Sequence, residues 1–127
     1  MLHHEATRSA NIERAITMIK EAPGHDLYVL PELMSCGYGR IAFEQLDVLA
    51  EDDHGPSYEA FSKLSRELGC TICYSYAGRT AGKPCISAAV VDDQGQLVVR
   101  YDKWHLCSNG DCFEKTYMVK RQQGRRW

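Results

Sequence analysis

Leu27-Tyr28-Val29-Leu30-Pro31-Glu32 sets four apolar residues directly against a Pro-Glu pair. A continuous apolar run of this length reads as a strand covered on both faces. Proline has no N–H to give to a ladder, so the strand stops at Pro31. Glu32 is thereby placed at the carboxyl end of a strand, where the ligand sites of α/β sheets gather.

The flanking sequence gives the other elements. Upstream, Ile12, Ala15, Ile16 and Ile19 recur at helical spacing over Asn11 to Glu21. Ser9 or Asn11 is a candidate cap, and Pro23-Gly24 ends the helix. Downstream come a loop over Ser35-Cys36-Gly37-Tyr38-Gly39 and a short helix with Phe43, Leu46, Leu49 and Ala50. After the break His54-Gly55-Pro56-Ser57, with Ser57 as candidate cap, Tyr58, Phe61, Leu64 and Leu68 form a second amphipathic helix that Gly69 closes. Thr71 to Ala77 reads as a strand, followed by a turn from Gly78 to Pro84. Ile86–Val91 and Leu97–Tyr101 flank Asp92-Asp93-Gln94-Gly95 as a hairpin. Beyond Lys103 the pattern is mostly loop, with a short helix near Phe113–Met118. Helix, strand, helix and three strands in that order predict an α/β fold, a mixed sheet with helices on one face.

Composition narrows the function. The 127 residues are 44% hydrophobic and 25% charged, with a net charge of −2, which fits one globular domain. The charges are interspersed, so phosphate and anionic lipid find no surface that would concentrate them. Nucleic acid and membrane are therefore not expected partners. Lys120-Arg121 and Arg125-Arg126 read as a solvated tail. No apolar run approaches the roughly 20 residues a membrane helix needs. Met1-Leu2-His3-His4-Glu5 lacks the apolar stretch of a secretory signal, and a reducing, cytoplasmic setting is expected. The six cysteines then read as thiols. Cys70 and Cys73, three apart at a strand, point to opposite faces and do not share a zinc ion. His105, Cys107, Asp111 and Cys112 lack the paired spacing of zinc modules. Neither a metal nor a cofactor is expected.

Three groups sit where strands end or just beyond: Glu32, Lys103 and Glu114. A carboxylate and an ammonium in one pocket can act as base and electrostatic clamp. Spacing alone does not separate them from solvated loop residues. Tyr28, Tyr38, Trp104 and Tyr117 read as packing rather than pocket lining.

The words around these residues carry more. Leu30-Pro31-Glu32-Leu33 with Gly37-Tyr38 resembles the "LPE(L/M)…GY" motif of the nitrilase superfamily of carbon–nitrogen hydrolases. Tyr101-Asp102-Lys103-Trp104-His105-Leu106 resembles its "Y(R/D)K-x-HL" motif, and Ala10-Asn11-Ile12-Glu13-Arg14-Ala15 its first helix. Gly110-Asp111-Cys112-Phe113-Glu114 is similar to the segment that places a second glutamate in N-carbamoyl-amide hydrolases. The resemblance runs from about Ala10 to Gly124.

The resemblance implies a four-layer αββα sandwich and a Glu–Lys–Cys triad hydrolysing an amide or N-carbamoyl amide, less readily a nitrile, through a thioester. Glu32 would be the general base, Lys103 the stabiliser of the oxyanion and Glu114 the second glutamate. Complete members would act on small molecules and assemble as homo-oligomers. The family's "C-x-x-R-(F/Y)-P-E" nucleophile motif surrounds none of the cysteines at 36, 70, 73, 85, 107 or 112. The family's first strand is missing as well. The expectation is one incomplete domain over residues 1–127, the N-terminal half of the sandwich, inactive by itself and prone to aggregate through exposed strand faces. Two alternatives stand beside it: a non-catalytic chain that pairs with a complete subunit, and Cys107 or Cys112 as substitute nucleophile.

Overall fold

The computed structural model describes the backbone of residues 4–108 and 113–121. In chain order these form helix α1 (His4–Glu21), strand β1 (Leu27–Val29), helices α2 (Arg40–Phe43), α3 (Leu46–Leu49) and α4 (Pro56–Leu68), strands β2 (Thr71–Thr80), β3 (Lys83–Val91) and β4 (Leu97–Asp102), and helix α5 (Glu114–Tyr117). Gly110-Asp111-Cys112 and Arg125-Arg126 of the sequence reading lie outside the described residues.

The sheet is four-stranded in the order β1-β2-β3-β4, with β1 parallel to β2 and the other pairs antiparallel. The mixed α/β architecture is therefore as the sequence pattern predicts. Alternation along β2 sends Ile72, Tyr74 and Tyr76 to one face, where they pack with Ala89 and Val91 of β3. Ile12, Ala15 and Ile19 of α1 and Phe61 and Leu64 of α4 cover that face. The rings of Phe61 and Tyr74 stack at 5.0 Å. A fully buried side chain of this size contributes about 1.5–3 kcal/mol.

The opposite face carries a row that crosses all four strands in register, Val29–Cys73–Val90–Val99. Val29 is 69% exposed and Val99 41%, so the described residues leave this row open. At one end a second cluster closes the face: Ala77 and Ile86 meet Leu33, Phe43, Leu46, Leu49 and Met118. Helices are thus not confined to one face.

Several sequence expectations are corrected. The strands do not break at Gly78. They continue to Thr80 and resume at Lys83 across the two-residue turn Ala81-Gly82, with both residues at positive φ (50° and 76°), the twist that suits a tight hairpin. Gly78 pairs with Cys85 inside the ladder, and the position takes glycine because a Cβ there would collide with Ser87 Oγ. Pro84 is tolerated because β4 pairs with β3 only from Ser87 onward. β1 is an edge strand with Leu27 and Val29 exposed, not a strand covered on both faces. α1 begins at His4, so Ser9 and Asn11 lie within it rather than capping it. Its polar first turns are held by Arg8, whose guanidinium donates to Val48 O and Leu49 O at 3.2 Å each, and Asn11 donates to Ser35 O at 3.0 Å. The single short helix over Phe43–Ala50 is two helices, α2 and α3.

Nor does Ser57 cap α4. It lies inside the first turn, and Glu51 serves that helix end: Ser57 N–H and Ser57 Oγ donate to its two oxygens, each at 2.7 Å. Glu51 N–H in turn donates to Ala77 O at 2.8 Å, fixing α4 to β2. Glu51 is 3% exposed, and burial raises its pKa above the ordinary 4.5 against the lowering effect of the Ser57 bonds. The folded state therefore holds this proton more tightly than the unfolded chain. Its stabilising contribution is full below about pH 4.5 and falls as pH rises through the raised value. Glu51→Gln removes that slope, so the Tm advantage of the native chain over the variant is expected to shrink from pH 4 to pH 8 in thermal melts. A constant or growing advantage contradicts this.

Candidate active site

Leu30 N–H donates to Cys73 O at 2.8 Å, the last ladder bond beyond β1, and Pro31 then ends the pairing. The chain turns sharply after Glu32. Leu33 is fully buried in left-handed backbone (φ 52°), and Gly37, at φ 84°, returns its N–H to Leu33 O at 2.8 Å. A non-glycine residue in this region costs on the order of 1–2 kcal/mol, which burial of Leu33 offsets. The turn leaves Glu32 at the strand end with its side chain 44% exposed.

Lys103 follows β4. Its N–H donates to Ile86 O at 2.8 Å and its carbonyl accepts from Arg121 N–H at 3.0 Å, so both neighbours hold its backbone. The tail returns across the hairpin end, with Val119 N–H on Pro84 O at 2.9 Å and Met118 buried in the second cluster. That return places Glu114, the first residue of α5, at 1% exposure.

The three groups proposed from sequence meet at one atom. Lys103 Nζ lies 2.8 Å from Glu32 Oε1 and 2.8 Å from Glu114 Oε1. Tyr38 Oη donates to the other oxygen of Glu114 at 2.9 Å. Burial works to lower the Lys103 pKa, but the hydrogen bonds and charges of Glu114 and Glu32 outweigh it, and the net shift is upward from 10.5. The amine is thus a fixed ammonium at neutral pH. Of its two carboxylates one is buried and doubly held, the other reaches solvent. Such a set can take up a proton at Glu32 and stabilise an anion at Lys103.

Tyr38, which the sequence pattern assigns to packing, also reaches Glu114. Its ring does pack edge-on to Phe43 at 5.2 Å, while its hydroxyl serves Glu114. The Gly37-Tyr38 pair beside the Pro-Glu turn was the available signal. Tyr28 is structural, donating to Ala22 O at 2.6 Å. The five described cysteines are free thiols. Burial pushes Cys36 and Cys85 up to about 12 and raises Cys70 and Cys73. These four are poor nucleophiles at neutral pH. Cys107 is half-buried, and Cys112 lies outside the described residues. Among the described residues no group of three or more acidic, histidine or cysteine side chains is arranged to hold a metal ion. No helix among them is long and apolar enough to cross a membrane.

A family model described as carbon–nitrogen hydrolase matches residues 2–126. The chain is 34% identical over 104 residues to "Hydrolase in pqqF 5'region" of Pseudomonas protegens, covering 81% of this chain and 36% of that protein. It is 32% identical over 100 residues to 2-oxoglutaramate amidase of Bacillus subtilis, covering 77% and 38%. The crystal structure of a carbon–nitrogen hydrolase from Helicobacter pylori superposes with a TM-score of 0.71 at 23% identity, over 93% of this chain and 42% of that one. The chain thus spans well under half the length of the relatives it matches.

Replacing Lys103 leaves the buried Glu114 without its cation. A fully buried pair broken in this way costs about 3–5 kcal/mol, and partial solvent access to Lys103 reduces that to roughly 2–3 kcal/mol. Lys103→Ala is therefore expected to lower stability by that amount in urea unfolding at pH 8, and adding Glu114→Gln should restore part of it. Because the Lys103 pKa is raised, its contribution is full below about pH 10.5 and is lost as pH climbs through the raised value. The variant should accordingly approach the native chain at strongly alkaline pH. A gap that persists there would refute the pairing.

Proposed function

Because the chain belongs to the carbon–nitrogen hydrolase family, we propose that Glu32, Lys103 and Glu114 are its share of an amide-hydrolysing site whose attacking thiol comes from sequence outside these 127 residues. The observation that carries this reading is the single ammonium of Lys103, 2.8 Å from carboxylates delivered by two other segments.

In the proposed reaction the Glu32 carboxylate takes the proton of the incoming thiol as sulfur attacks the amide carbon. The carbonyl oxygen becomes an oxyanion, which the Lys103 ammonium holds. Glu32 returns the proton to the departing amine as the C–N bond breaks, leaving a thioester. Glu32 then takes a proton from a water molecule as its oxygen attacks the thioester, and gives that proton to the departing sulfur as the C–S bond breaks, releasing the carboxylic acid and the free thiol. Glu114 is buried, at 1% exposure. Its part is to keep Lys103 charged and aimed, with Tyr38 fixing its second oxygen.

The substrates we assign are small primary amides, the chemistry in the name of the 2-oxoglutaramate amidase relative, with N-carbamoyl amides next and nitriles last. The open row Val29–Cys73–Val90–Val99 is where the remainder of a four-layer sandwich would pack, so the chain reads as one incomplete domain. Free thiols suit a cytoplasmic location. The same open face favours a second reading, a non-catalytic chain that pairs with a complete family subunit. Co-elution with such a subunit, with no activity gained, would support it.

The test joins the full chain to the portion of the Bacillus subtilis amidase that follows its matched segment. The chain alone is expected to be inert towards primary amides. The joined protein is expected to hydrolyse them, and Glu32→Gln or Lys103→Ala should each lower kcat by about 10²–10³ or more. A monodisperse, folded hybrid whose activity ignores both substitutions would overturn the assignment.

A further inference from the structure

Ser75 lies in the middle of β2, opposite in direction to the core residues Tyr74 and Tyr76, yet it is only 6% exposed. Its hydroxyl makes two bonds: it accepts the N–H of Leu33 at 3.0 Å and donates its own proton to Ser87 O at 2.8 Å. A hydroxyl has one proton to donate, so its donor role is filled by Ser87.

Both partners matter by position. Leu33 follows Glu32 directly and is the left-handed residue of the turn. Its N–H emerges just past the last ladder bond of β1, buried, and an unmet buried N–H costs about 1–3 kcal/mol. Ser87 lies next to Ile86, whose carbonyl holds Lys103 N–H, and it is in register with Asp102, the residue before Lys103. One hydroxyl thus connects the turn that carries Glu32 to the strand that anchors Lys103. An apolar side chain at position 75 could replace neither bond, and the left-handed turn would lose the contact that fixes its first peptide.

We propose that Ser75 is a positioning residue that sets the distance between the Glu32 carboxylate and the Lys103 ammonium. This rests on the reading of Glu32 and Lys103 as a working pair and adds to it the group that holds them in place.

The experiment follows the Lys103 amine by NMR in the full chain with ¹³C-labelled lysine. Its titration midpoint reports whether Glu32 is within reach, and general destabilisation does not move it while the chain is folded. Glu32→Gln serves as reference and should lower the midpoint, because one of two raising partners is gone. Ser75→Ala is expected to lower it by at least half as much, and Ser75→Thr, which keeps the hydroxyl, to restore it. If the alanine variant fails to fold, Ser75→Cys provides the measurement: a larger, weaker hydrogen-bonding atom should give an intermediate midpoint. A native midpoint in a folded Ser75→Ala or Ser75→Cys protein, with Glu32→Gln shifted, overturns the proposal and leaves the pair standing. A native midpoint in Glu32→Gln removes the pair, and the proposal with it. Amide hydrolysis is not part of the readout, so failure of the hydrolase assignment is recorded separately.

Discussion

Burying a carboxylate costs free energy that a neighbouring cation and hydrogen-bond donors offset, and Glu114, at 1% exposure, has Lys103 on one oxygen and Tyr38 on the other. Much of the molecule's arrangement around the site follows from bringing those groups together. The tail must cross the end of the β2–β3 hairpin to bring Glu114 in, which it does through Val119 on Pro84 O and Arg121 on Lys103 O. The hairpin must therefore extend to Thr80 and Lys83, well past the point where alternation of apolar residues fades. The loop after Glu32 must bring Tyr38 back over the site, and the left-handed turn at Leu33 and Gly37 performs that reversal.

The two faces of the sheet have different work. One is a conventional core, with α1 and α4 laid over Ile72, Tyr74 and Tyr76. Among the described residues the other is closed only at the site end, by the cluster around Leu33, Phe43 and Met118, and open along the row from Val29 to Val99. The cluster of Glu32, Lys103 and Glu114 sits beside the closed end. The packing that fixes their backbone is therefore contained within the described residues, even though the relatives are more than twice as long. Glu51 plays a structural part of its own, tying the start of α4 to Ala77.

Much of this was legible. The amphipathic helix ended by Gly69, the strand Thr71–Ala77, the Asp-Asp-Gln-Gly hairpin and the Pro-Glu stop each follow from local periodicity or backbone chemistry, and the structure has them. Glu32, Lys103 and Glu114 stood out through the motifs around them. The failures share a cause, because each depends on a partner distant in sequence. The first turns of α1 carry no apolar stripe and persist because Arg8 reaches carbonyls 40 and 41 residues away. Gly78 reads as a turn residue until Ser87 is seen to occupy the space of its missing Cβ. The Leu27–Leu30 run looks doubly buried because periodicity reports apolar character and not what lies opposite.

The sequence by itself determined the elements, their α/β order, and the identity of the residues that carry charge at strand ends, since those rest on short-range rules of spacing, turn chemistry and side-chain type. Only the tertiary structure decided that Lys103 lies between two carboxylates, that Tyr38 serves Glu114, and that Ser75 spans the Glu32 turn and β3. Those contacts join residues as far as 76 positions apart. Their geometry is set by strand register and by the path of the tail, and a linear pattern encodes neither until the chain has closed on itself.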